Sequence, residues 1–298
     1  MVGKNQNNNF VVSNNTFMSP EINLANIFTP LKKGDRSKLK LDKTKVFNNV
    51  EMKFTCFEPL SVDDHKLFIS ILNFCSDRSV GIEIDNSSSN EIALILKNEI
   101  FSEKNIGETS VEDSLVYMSC FKSDIMNATG YSGGKNYIYF DIIIERLSSV
   151  NIIVKELVTK KKYNMQLLSF YEDVKTGKIC IAINTKSANA ILGGQYSHIN
   201  QADYLSLEDN IEKLMYTYLC SYVPQRNGKG KKSYYERKSK IVSLLEKFYP
   251  DINHLSRNTL NSYCRKTIAL LNKINKFEKW NVQIKGKGAN ALVIFNRE

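Results

Sequence analysis

Hydrophobic and polar positions change period several times along this chain, and each change marks an element. Residues 1–20 have no period: they are Asn-rich and weakly apolar, the signature of a disordered tail. Phe28-Thr-Pro-Leu-Lys-Lys-Gly-Asp-Arg-Ser-Lys-Leu-Lys follows as a basic lead-in. Alternation over Val46–Phe54 predicts a strand. Ser61-Val-Asp-Asp then opens a helix: Ser61 caps it, Asp63 and Asp64 suit its positive end, and Leu67, Ile71 and Phe74 form the apolar stripe. Residues 77–118, with a Ser-rich stretch at Asn86–Asn90, read as a strand-containing insertion with a polar loop.

Cys120–Ala128 predicts a short helix stopped by Gly130. The glycine turn Tyr131-Ser-Gly-Gly-Lys-Asn leads into a second helix, Lys135 to Ser149, so the pair carries a helix-turn-helix signal. Two β-rich arms, Asn151–Val158 and Tyr163–Phe170, flank Lys160-Lys161-Lys162 and predict a basic-tipped hairpin, which Lys178–Ile183 extends. The pattern recurs. Leu207–Tyr222 is a helix with Ile211, Leu214, Met215 and Tyr218 on one side, and Gly228-Lys-Gly-Lys-Lys is a basic loop. Ser239–Tyr249, ended by Pro250, and Ser256–Asn272, with Leu260, Cys264, Thr267, Ile268 and Leu271 inward, supply two more helices. Trp280–Ile284, Lys285-Gly-Lys-Gly and Ala291–Phe295 form a second hairpin.

The fold class expected is therefore α+β, mainly helical. It comprises two tandem winged-helix domains, each a three-helix core with a β-hairpin wing. The division is an Asn-rich tail over 1–27, an N-terminal winged helix over 28–194 that includes the lead-in and the 77–118 insertion, and a C-terminal one over 195–298.

Composition sharpens this. With 42% hydrophobic and 24% charged residues, a 298-residue chain can bury an ordinary core. No apolar run reaches the ~18–20 residues of a membrane helix, and the first residues lack an apolar signal core, so a cytoplasmic protein is expected. The formal charge is +10, and it is uneven: residues 1–150 carry 16 basic and 19 acidic side chains, whereas 225–298 carry 17 and 5. Lys32–Lys45 adds 7 basic residues against 2 acidic. Clustered positive charge draws polyanions, and nucleic acid is the leading partner class.

Catalytic signals are missing. The 6 cysteines stand singly and the 3 histidines are isolated, which argues against a zinc site. No P-loop pattern occurs. The 15 tyrosines include possible nucleophiles, but none has a metal-binding His pair beside it. The chain is expected not to be an enzyme and to need no cofactor.

Several strings, in order, resemble RepC, the replication initiator family of IncQ-type plasmids: Leu31-Lys-Lys-Gly-Asp-Arg with Lys40-Leu-Asp, Glu58-Pro-Leu-Ser-Val-Asp-Asp, Ser132-Gly-Gly running to Ile144-Glu-Arg-Leu, Leu168-Ser-Phe-Tyr-Glu, Ala190-Ile-Leu-Gly-Gly-Gln-Tyr and Leu219-Cys-Ser-Tyr. The resemblance spans residues 28–298 and is poor around 77–118 and 227–233. It implies a protein that binds directly repeated sequences (iterons) in double-stranded plasmid origin DNA. Such a protein helps open the adjacent AT-rich region and admits a plasmid-encoded helicase and primase, with no nucleotide or metal of its own.

Base edges are distinguishable in the major groove, so the outward faces of the second helix of each pair are the candidate readers. In the first unit Tyr137, Phe140, Ile143, Ile144 and Leu147 face the core, which leaves Lys135, Asn136 and Tyr139 for DNA. Ile138 and Ile142 also point outward, toward thymine methyls or a dimer contact. In the second unit the outward set is Asn258, Asn261, Ser262, Arg265 and Lys266, with Arg265 suited to guanine. Lys160, Lys161 and Lys162, with Lys285 and Lys287, are assigned to phosphates; Lys229, Lys231 and Lys232 are a solvated run or a further phosphate contact. Homodimerisation is a further expectation, with its contact sought in residues 77–118. The rivals are a winged-helix transcriptional regulator and, from another class, a nicking replication enzyme.

Overall fold

The structure is a computed structural model that describes residues 14–31, 34–77, 81–84, 90–101, 115–130, 135–223, 225, 236–249 and 251–298. Residues 1–13 of the expected tail, Lys32, Lys33, the 131–134 turn and the 228–232 loop lie outside the described residues, as does the side chain of Lys135.

Residues 14–27 are not a tail. They form strand β1 (Asn15–Met18) and helix α1 (Pro20–Leu24), with Met18, Ile22 and Ile27 buried. The lead-in continues into β2 (Leu41–Phe47), which turns at Asn48 to β3 (Val50–Cys56). A hairpin thus replaces the single strand expected over Val46–Phe54.

Ser61 and Asp64 form a capping box for α2 (Val62–Ser76): the Ser61 hydroxyl accepts from the Asp63 and Asp64 amides at 3.2 and 3.4 Å, and the Asp64 carboxylate accepts from the Ser61 amide. The Leu67, Ile71 and Phe74 stripe is buried, yet so are Asp64, His65, Ser70 and Asn73, because α2 runs through the centre of the molecule. Next come β4 (Gly81–Ile84), α3 (Glu91–Ile100), β5 (Leu115–Phe121), α4 (Lys122–Thr129) and α5 (Lys135–Ser148). Gly130, at φ 73°, ends α4 in the left-handed region that glycine reaches without strain.

The chain then runs through β6 (Asn151–Glu156), β7 (Lys162–Gln166), β8 (Leu168–Asp173) and β9 (Lys178–Ile183). Two four-stranded antiparallel sheets result, in the orders β2-β3-β6-β7 and β4-β5-β9-β8. The hairpin read as one wing from Asn151 to Phe170 is therefore divided. Its basic tip belongs to the sheet built on β2 and β3, whereas Leu168–Asp173 pairs with β9.

The second half contains α6 (Thr185–Ile191), β10 (Ser197–Asn200), α7 (Gln201–Ser206) and α8 (Asn210–Tyr222). Then follow β11 (Arg237–Lys240), α9 (Ile241–Phe248), α10 (Arg257–Ile274), β12 (Trp280–Lys285) and β13 (Leu292–Arg297). The helix expected from Ser239 starts at Ile241, preceded by a strand that completes a three-stranded sheet in the order β11-β13-β12. The expected boundary at 194 falls in a turn, but β10 beyond it pairs with β1. Of the described residues 45% are helical and 30% lie in strands, so the fold is α+β, and mixed rather than mainly helical.

One chain path occurs twice. In the second half it runs α8, β11, α9, α10, β12, β13, and the sheet order places the last strand between the first and second. In the first half α2, β5, α4, α5, β8 and β9 follow the same route, with order β5-β9-β8. β4 and α3 interrupt it after α2; the β6–β7 hairpin interrupts it after α5. A single hydrophobic cluster spans both halves. α1 wedges between them: the Asn23 amide donates to the Thr217 carbonyl at 2.5 Å and to the Ser221 hydroxyl at 2.6 Å.

Candidate nucleic-acid interface

α10 carries no acidic residue. Ser256 caps it, accepting from the Thr259 amide at 3.2 Å. Its apolar face, with Cys264, Thr267, Leu270, Leu271 and Ile274 buried, packs on α9 and so turns Asn258, Asn261, Arg265 and Lys266 outward. Ser262 is half-buried, as are Leu260 and Ile268, which were expected to face inward. The Arg265 Nε donates to the Asn261 carbonyl at 3.4 Å, which lays the guanidinium back along the helix surface.

Lys285 and Lys287 are exposed at the β12–β13 turn, where Gly286 and Gly288 adopt φ of 92° and 68°. Positive φ at two points gives a tight loop that lifts both lysines, and residues 288–290 of that loop pack against α10. The structure thus brings the second-unit candidates to one surface.

The lead-in adjoins the same region. A cleft of about 400 Å³ is lined by Leu39, Lys40 and Lys43 on one side, and by Tyr249, Asp251, Leu255 and Tyr263 on the other. This lays β2 beside the turn between α9 and α10. Burial, with the Lys45 charge beside it, pushes the Lys43 ammonium down to about 8. Arg36, from the lead-in, points elsewhere. It reaches buried Asp64 at 3.3 Å and Glu58 at 3.7 Å, and Arg146 from α5 binds the same two carboxylates.

The first-unit candidates are not gathered in this way. Asn136 is half-buried. The Tyr139 hydroxyl donates to Asp63 Oδ2 at 3.3 Å; burial first and then the Asp63 charge raise its pKa. On α5, Phe140, Ile143, Ile144 and Leu147 are buried as the spacing predicted, but Tyr137 is 41% exposed rather than in the core. Ile138 and Ile142 face solvent at 68% and 45% exposure. Beside them buried Lys122 is held by Asp141 and by Glu172.

Lys160, Lys161 and Lys162 are exposed at the β6–β7 turn, with Lys160 at φ 58°. That turn lies next to the β2–β3 turn, where the Leu157 amide donates to the Asn49 carbonyl at 2.8 Å. Two basic stretches far apart in sequence, the lead-in and the hairpin tip, therefore share one sheet. Lys155, exposed on β6, and Lys53, paired with Asp42 at 3.2 Å, also lie on that sheet and were not singled out from the sequence.

The counterpart of the β12–β13 turn in the first half is Val174-Lys175-Thr176-Gly177, between β8 and β9. Its Asp-x-x-x-Gly turn pattern was a legible hairpin signal. Among the described residues no group of three His, Cys, Asp or Glu side chains is placed to hold a metal, and no helix is long and apolar enough to cross a membrane.

Comparison with known proteins gives one family. The sequence profile described as Replication protein C (RepC) matches residues 17–250. No curated relative matches the chain by sequence. Among solved structures the chain is similar to crystal structures of domains 2 and 3 of RctB. One is 10% identical with a TM-score of 0.48, covering 90% of this chain and 94% of that one. Another, RctB 155–483, is 12% identical with a TM-score of 0.45, covering 94% and 96%.

Proposed function

The chain belongs to the replication protein C family, and from this we infer that it initiates plasmid replication by binding duplex DNA at repeated origin sequences. In this reading α8 to β13 is a winged helix whose α10 lies in the major groove, with the β12–β13 turn as its wing on the flanking phosphates. α2, β5, α4, α5, β8 and β9 form the companion winged helix. The observation that carries the reading is α10 itself: an acid-free helix with Asn258, Asn261, Arg265 and Lys266 exposed, next to a turn that raises Lys285 and Lys287.

Asn pairs with adenine and Arg with guanine through two hydrogen bonds each, so this face can distinguish bases. The lysines at the turn, and those of the β2-β3-β6-β7 sheet, neutralise phosphates without regard to sequence. The reading assigns no catalytic step. Opening of the AT-rich region and entry of a plasmid-encoded helicase and primase complete the proposal.

Binding is tested by fluorescence anisotropy on the repeat from the cognate origin and on a scrambled duplex. Arg265→Ala should cost about 1–3 kcal/mol on the repeat and relax selectivity at one base position. Replacing Lys285 and Lys287 with Ala should weaken both duplexes alike and reduce the salt slope by about 0.9 for each phosphate that is no longer neutralised. Equal losses on both duplexes for Arg265→Ala would overturn the placement of α10. A plasmid bearing only the origin should replicate when the protein is supplied in trans; a transcriptional regulator would not support it.

A further inference from the structure

α10 and the β12–β13 turn must meet DNA together if one is to read bases while the other holds the flanking phosphates. A short stretch joins them, Asn275 to Lys279. α10 ends at Ile274, and the Asn275 amide still donates to the Leu271 carbonyl at 2.9 Å. The Lys276 and Phe277 amides donate to the Lys273 and Ile274 carbonyls, both at 2.9 Å. Lys279 then takes φ 70°, a left-handed value that a lysine adopts at some cost, and β12 begins at Trp280.

The Asn275 side chain reaches across this junction. β12 is an edge strand paired with β13, so amides on its other side have no ladder partner. The Val282 amide donates to Asn275 Oδ1 at 2.7 Å. That bond ties β12 to the C-cap of α10 and fixes the direction in which the strand leaves the helix. Trp280 and Val282 are buried, with Trp280 against Tyr216 of α8 and under the Arg297 guanidinium. Lys285 lies about 10 Å along the strand from Val282, so a change of direction of about 10° there moves it by ~2 Å. A charge-assisted hydrogen bond of ~2.8 Å does not survive such a shift.

In the first half the chain leaves α5 for β6, a strand of another sheet, and reaches Lys175 and Lys178 only after β7 and β8. The direct join between helix and turn belongs to the second half. We propose that Asn275 is a positioning residue: its hydrogen bond to Val282 holds the turn of Lys285 and Lys287 in register with α10, so that base contacts and phosphate contacts are made together. Asn275 acts through the turn and need touch no DNA. The inference rests on the replication reading, which assigns α10 to bases and the turn to phosphates.

Salt titrations by anisotropy on the repeat and on a scrambled duplex test it, with Arg265→Ala and the Lys285→Ala, Lys287→Ala pair as references. On the repeat, base contacts hold α10 in place, so a misdirected turn misses its phosphates. Asn275→Ala should there lose about tenfold in affinity and ~1.8 in salt slope, the share of two phosphate contacts. On the scrambled duplex nothing fixes α10, the protein shifts until its lysines meet phosphates, and both quantities should stay at wild-type values. Adding the lysine pair to Asn275→Ala should then cost less than about twofold more on the repeat. Asn275→Asp keeps an acceptor of the same shape and should retain the wild-type slope.

Weakening of both duplexes alike at an unchanged slope would mean that Asn275→Ala only lowers the folded fraction, and overturns the proposal. So does a wild-type slope on the repeat, full additivity with the lysine pair, or an Asn275→Asp variant that behaves as the alanine one. Failure of the replication reading looks different: Arg265→Ala would weaken both duplexes equally, or the lysine pair would leave the slope untouched, and the proposal would fall with it.

Discussion

His65 sits in the seam between the halves of the molecule and is only 1% exposed. Its ring meets Phe28 edge-on at 5.1 Å between centroids, and its Nε2 lies 3.1 Å from the Thr217 hydroxyl. That hydroxyl already donates to the Leu214 carbonyl at 2.9 Å, so it accepts from His65, whose Nε2 carries the hydrogen. Charging this ring inside an apolar seam is costly, and burial depresses the pKa from 6.5 to about 3. An unfolded histidine takes up its proton near pH 6.5. Between pH 6.5 and 3 the unfolded chain therefore binds the extra proton, and stability is lost as pH falls through that window. The loss from this group is roughly 1.5 kcal/mol at pH 5.5 and about 3 kcal/mol at pH 4.5. Urea unfolding of wild type and His65→Gln at pH 7.5, 5.5 and 4.5 isolates it, since glutamine retains an N–H donor for Thr217 and does not titrate. The variant should be the less stable at pH 7.5, and the gap should narrow by about 3 kcal/mol by pH 4.5. Parallel stability curves would refute the assignment of a neutral, buried His65.

Two further outcomes test how α2 is held. Asp64 is fully buried and takes Arg146 and Arg36 together with the Ser61 amide and hydroxyl, so Asp64→Asn leaves Arg146 poorly compensated and should cost about 3–5 kcal/mol by urea unfolding. A Cβ on Gly81 would lie 2.2 Å from the Cys75 carbonyl oxygen, so Gly81→Ala must displace the link from α2 to β4 and should lower the melting midpoint, while Gly177→Ala, with nothing within 4 Å, should cost only the strain of a positive φ.

What could be read from the sequence was local. Ser61 followed by Asp64, the Leu67-Ile71-Phe74 spacing and the long apolar stripe of α10 predict their helices because capping and helical period act within a few residues. Burial of His65 and Asn73 was not legible, because their partners, Thr217 and Thr16, lie 152 and 57 residues away. Sheet membership failed for the same reason. Asn151–Phe170 contains a genuine hairpin, and nothing in its own residues says that β6 will pair with β3 about a hundred positions earlier, or that β8 will leave it for β9.

That division matters for function, since it moved Lys160, Lys161 and Lys162 away from α5 and onto the sheet of the basic lead-in. It left Val174–Gly177 as the counterpart of the β12–β13 turn. Once the two halves are matched by path and not by charge, both turns are found to carry two exposed lysines, Lys175 and Lys178 against Lys285 and Lys287, whereas α5 shows Ile138 and Ile142 where α10 shows Arg265 and Lys266. A shared route through space with divergent surfaces means that the path alone assigns a ligand to neither copy, and the exposed side chains must carry that assignment.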